Sequence, residues 1–107
     1  MAYRVMVSGP ANADLDAAVG YIAVTLEAPS AAATLLDEFE EKLQLLADNP
    51  RLFGVDLYVS EAVNRQVRRC PVKRYGIYYT IDEEKKTVHV VAFTHGLRDT
   101  PDVIQSR

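Results

Sequence analysis

Two groups of residues have the types and spacing to do chemistry. The first is Arg65, Arg68, Arg69, Lys73 and Arg74, in a window from Ala62 to Ile81 that contains no Asp or Glu. Arginine offers a planar fork to a phosphate or carboxylate, and Tyr78, which alternation puts on the side of Arg74, offers a ring on which a base could stack. The second is the tail His95-Gly-Leu-Arg-Asp99. Histidine is the usual acid or base near neutral pH, and an arginine beside it can steady negative charge developing on a phosphate. Lys73, Arg74, His95 and Arg98 are therefore candidate catalytic residues; Arg65, Arg68, Arg69 and Tyr78 are candidate contacts to an anionic target or partner. The competing reading is plainer: the cations pair with acids of the chain or keep an edge strand soluble, and the tail is a turn in which Arg98 pairs with Asp99.

The chain as a whole is acidic, with 12 Lys and Arg against 15 Asp and Glu, a formal net charge of -3. The acids gather at Asp37, Glu38, Glu40 and Glu41 and in Asp82-Glu-Glu84, so the total hides a separation of charge. A local basic surface attracts an anionic partner whatever the total. Cys70 is the one cysteine, which excludes an internal disulfide and a thiolate cluster; Arg68, Arg69 and Lys73 would lower its pKa if they stood close. His89 and His95 are the only histidines, with no zinc spacing around them, and neither a Gly-rich phosphate loop nor Gly-x-Ser-x-Gly occurs. No metal and no cofactor is expected.

A composition of 49% hydrophobic and 25% charged residues suits a folded soluble protein, and 107 residues suit one domain spanning 1–107. No apolar run approaches the roughly 20 residues that cross a bilayer, and the N-terminus lacks the apolar stretch of a leader, so the expected location is the cytoplasm.

Alternating Tyr3, Val5 and Val7 predict a strand over 2–7, ended by Ser8-Gly-Pro10, where Ser8 can cap a helix and Pro10 fits its first turn. Leu15, Ala18, Val19, Ile22 and Leu26 recur at three and four residues and predict a helix from Asn12 to about Glu27, with Asp14 and Asp16 at its positive end. Pro29 breaks and restarts the pattern. A second helix runs to about Asp48, its buried stripe Leu36, Phe39, Leu43 and Leu46. Residues 51–64 have no clear period and read as a loop, with room for a short turn or strand. Gln66–Cys70, Arg74–Ile81 and Thr87–Thr94 read as three strands of an antiparallel meander. Tyr75, Ile77, Tyr79 and Ile81 share one face; Val88, Val90 and Ala92 oppose His89, Val91 and Phe93. The expected fold is α+β, in the order β-α-α-β-β-β, with two helices on one face of a four-stranded sheet. Tyr78, Val91 and Phe93 would then be exposed on the other face, open to a homodimer partner or another protein.

In this order the pieces resemble the RelE/ParE superfamily of bacterial type II toxin–antitoxin toxins, often called plasmid stabilisation proteins. The residues that carry the likeness are Tyr3-Arg-Val-Met-Val-Ser8, Asp14-Leu15, Tyr21-Ile22, Asn49-Pro50, Val72-Lys-Arg-Tyr-Gly-Ile-Tyr-Tyr79, Val88 to Val91 and His95-Gly-Leu-Arg-Asp99. The resemblance implies a cognate antitoxin whose flexible segment folds across the toxin.

Within that superfamily, RelE-like members cut messenger RNA on the ribosome, and ParE-like members poison DNA gyrase without accepted catalytic residues. The chain has Gly76 where ribosome-dependent members commonly carry an arginine after the strand aromatic, and no tyrosine follows His95. The helical hairpin and the His-Gly-Leu-Arg-Asp ending are closer to ParE. Three readings follow: a gyrase inhibitor, a ribosome-dependent endoribonuclease using Lys73, Arg74, His95 and Arg98, or a non-toxic interaction module with the same fold.

Overall fold

A computed structural model describes residues 2–96 and 100–107 of the chain. Strand β1 (Arg4–Val7) ends at Ser8, whose Oγ accepts the Ala11 N–H at 3.1 Å, and helix α1 (Gly9–Gly20) starts there with Pro10 in its first turn. The helix continues as a π-helical turn over Tyr21–Thr25. Glu27, at φ 51°, reverses the chain into α2 (Pro29–Asp48). A short helix, α3 (Leu57–Val63), follows a loop, and then come β2 (Arg68–Val72), β3 (Tyr75–Asp82), β4 (Thr87–His95) and a C-terminal α4 (Thr100–Gln105).

The sheet order is β1-β4-β3-β2, with β1 parallel to β4 and the other pairs antiparallel. The expected α+β arrangement is therefore present, with two short helices added. Alternation turns Ile77, Tyr79, Val88 and Val90 toward α1 and α2, where they pack with Leu15, Leu35, Phe39 and Leu46. Removing each such side chain from water contributes roughly 1.5–3 kcal/mol before conformational entropy is set against it.

Two expectations about faces fail, each for a local reason. In the β3–β4 ladder Tyr78 pairs with Ala92 but Tyr79 pairs with Val90, so Val91 is an extra residue and the alternation of β4 reverses beyond it. Phe93 thus faces the helices, edge-on to Phe39 at 5.1 Å, and Ala92 faces away from them. Backbone groups beside this bulge find partners outside the sheet: the Phe93 N–H donates to Asp14 Oδ2 at 3.0 Å, and Arg107 donates to the Val91 carbonyl at 2.9 Å. Asp14 also takes both Arg107 guanidinium nitrogens at 2.7 and 2.8 Å, so its principal service is to this clamp.

The second failure concerns the outer face of the sheet. Tyr78 is buried there, packed with Ala92, Val59 and Val67 under α3 and Ile104 of α4. Neither Tyr78 nor Phe93 is thus available as an exposed contact. On the helices, Leu35 takes the buried place expected for Leu36, and Leu26 lies exposed. Among the described residues no helix is long and apolar enough to cross a membrane.

Candidate functional site

Lys73 and Arg74 form the two-residue turn between β2 and β3. Lys73 has φ 55°, a left-handed conformation that costs an L-residue roughly 1–2 kcal/mol. The Gly96 N–H donates to the Arg74 carbonyl at 2.9 Å, tying the end of β4 to this turn. Tyr75 opposes His95 across the ladder, its ring stacked on Phe93 at 5.0 Å and edge-on to the imidazole at 5.3 Å. Lys73, Arg74 and His95 therefore stand at one end of the sheet.

The tip of the α1–α2 hairpin overhangs that end and leaves a cleft of about 610 Å³. Its walls are apolar, with Tyr21, Ile22 and Leu26 on the first arm of the hairpin and Leu35 on the second; Tyr75, Lys73, Arg74 and His95 complete it. A π-turn has more residues per turn than an α-helix, so it breaks the 3.6-residue stripe, and Leu26 beyond it emerges half-exposed; Tyr21, at the start of the turn and outside that stripe, is half-exposed as well. Lys73 Nζ meets Glu38 of α2 at 2.8 Å in a pair whose side chains are 52% and 31% exposed. Such a pair contributes no more than about 1 kcal/mol.

The other cations lie elsewhere. Arg68 faces inward beside Tyr79 and donates to the Phe53 carbonyl at 2.7 Å. Arg69 runs over the outer face, donating to the Tyr78 hydroxyl at 3.1 Å and the Tyr75 carbonyl at 3.5 Å. Arg65 is exposed on the connection between α3 and β2. Arg98 lies outside the described residues. The basic window is thus divided among the turn and the two faces of the sheet, because strand neighbours point oppositely and the turn projects from the end.

The family model for the ParE toxin of the type II toxin–antitoxin system, parDE, matches residues 5–100. The chain belongs to the ParE toxin family. It is accordingly a toxin of the type II toxin–antitoxin class, a membership that implies an antitoxin partner. A comparison with curated proteins gives no match.

In this ParE-family toxin the place of the missing nuclease arginine is already occupied. A Cβ on Gly76 would lie 2.6 Å from Arg69 Nε, so the guanidinium of the neighbouring strand fills the space above the glycine. Cys70 is fully buried, and burial pushes its thiol up to about 11 against the smaller opposing pull of Lys42 and Arg69. The basic neighbours in sequence do not activate it. Sequence reasoning missed the apolar wall of the cleft: it assigned Leu26 to the core and passed over Leu35. Ile22 was likewise read as part of the helical stripe, and Tyr21 carried a signal only as part of the family pattern.

Proposed function

We propose that this ParE-family toxin works by docking, with DNA gyrase as its target and with its antitoxin seated in the cleft between the helical hairpin and the β2–β3 turn. The observation that carries the seat is the make-up of that cleft, an apolar wall beside Lys73, Arg74 and His95. A flexible segment that folds on binding must bury apolar area to offset its ordering entropy, and it gains register from a fixed charge contact. An amphipathic antitoxin segment would place apolar side chains on Tyr21, Ile22 and Leu26 and a carboxylate at Lys73 and Arg74. That carboxylate exchanges with Glu38, whose half-exposed ion pair is cheap to open. The gyrase half of the reading rests on family membership and on the ParE-like ending of the chain.

Purified toxin is expected to block gyrase supercoiling in vitro and to be relieved by its antitoxin. Leu26→Asp or the double change Lys73→Glu with Arg74→Glu should weaken the antitoxin complex by at least about tenfold, a loss of roughly 1.4 kcal/mol, without unfolding the chain. Supercoiling untouched at high excess rejects the target; unchanged antitoxin affinity in both variants rejects the seat. The meeting of Lys73, Arg74 and His95 at one cleft favours a second reading, ribosome-dependent messenger cleavage. That reading requires cleavage of ribosome-bound messages that falls when each of the three becomes Ala.

A further inference from the structure

On the outer face of the sheet a second hollow of about 370 Å³ lies over β1, β4 and β3. Its floor is a row of residues opposed across three strands: Met6 pairs with His89, and His89 with Thr80. Ser8, just past β1, and Arg65 also line it. All four polar side chains, Arg65, His89, Thr80 and Ser8, carry donors. Among the described residues none of them donates to a protein acceptor or forms an ion pair, and no carboxylate lines the hollow. Two other arginines of the basic window differ: Arg68 donates to the Phe53 carbonyl, and Arg69 donates to the Tyr78 hydroxyl and the Tyr75 carbonyl.

Donors from four separate stretches of chain around one hollow suit a tetrahedral oxyanion, which accepts from many directions, better than a planar carboxylate. The arginine fork supplies charge, and the hydroxyls and imidazole supply direction. We propose that this hollow binds a phosphate group, with Arg65 as its principal charge contact. A free phosphate or the backbone of a nucleic acid presents the same chemistry. The site shares no residue with the antitoxin cleft, so either can fail without the other.

The test is NMR titration of the 15N-labelled full chain with inorganic phosphate and, separately, with a short single-stranded DNA, each against chloride at equal ionic strength. Saturable amide shifts at Met6, Ser8, Thr80 and His89 are expected, with affinity about tenfold weaker in Arg65→Ala and intermediate in Arg65→Lys. Shifts of these amides by the oligonucleotide assign the phosphate to a nucleic acid, and shifts by inorganic phosphate alone assign it to a free anion; both support the site. Lys73→Ala should respond as the native chain does. Equal shifts with chloride, no shifts, or an Arg65→Ala variant that titrates like the native chain would overturn the proposal.

Discussion

Tyr78 and Tyr79 are adjacent and meet different partners. Tyr78 lies on the outer face, where its hydroxyl accepts from Arg69, and Tyr79 lies in the helix-side core and donates to the Pro50 carbonyl at 2.7 Å. Burial is the main cause that pushes the Tyr79 hydroxyl up to about 12, so it remains a donor throughout the physiological range. Tyr79→Phe keeps the ring but leaves the Pro50 carbonyl unpaired in the interior. The expected loss is about 1–3 kcal/mol in urea unfolding, and a loss near zero would mean that water reaches the carbonyl. Strand alternation made the inward face of Tyr79 legible, but not the partner 29 residues away. The same limit governed Gly76: its identity marked a departure from the nuclease pattern, and only the fold shows Arg69 lying across it.

Strand β1 and helix α2 were legible because burial of one face imposes a repeat, and the three C-terminal strands were legible from their Val, Ile and Tyr, since β3 and β4 bury residues on both faces. Four features lacked that signal. The π-helical turn and the bulge at Val91 each insert a residue, which preserves the element but changes what its later side chains face. Helices α3 and α4 are too short to show a period, and tertiary contacts hold them: Ser60 Oγ bonds both the N–H and the carbonyl of Val67, and Gln105 donates to the Ala62 carbonyl at 2.7 Å. One local cue for α3 existed, since Asp56 accepts the Val59 N–H at 3.0 Å as its cap. Asp56→Ala should therefore cost about 1 kcal/mol, or roughly 4 °C in Tm, and a matching Asp56→Ser variant should recover most of it. An unchanged Tm would show that contacts with β2 and α4 alone fix this helix.

Across the whole molecule, charge read along the chain and charge placed in space diverge. One uninterrupted basic window becomes a turn at the cleft under the helical hairpin, an arginine on the inner face and two on the outer, while the acids do more than solvate. Glu83, in the β3–β4 turn, gathers partners distant in sequence: the Tyr3 hydroxyl donates to it at 2.7 Å, Arg51 pairs with it from beyond α2, and Lys86 lies 3.3 Å away. These contacts, the Tyr3 bond first and Arg51 next, hold its carboxyl at about 2, well below the ordinary 4.5. Because the folded value is the lower one, the stabilisation is complete above the unfolded value and disappears as pH falls toward the folded value. Glu83→Gln should thus lower Tm at neutral pH by a small margin, since solvent screens so exposed a cluster. That gap should close between about pH 4.5 and pH 2 and shrink in high salt. A gap that stays constant down to pH 2, or that opens only in acid, would show that the cluster does not couple the β3–β4 turn to β1 and to the loop after α2.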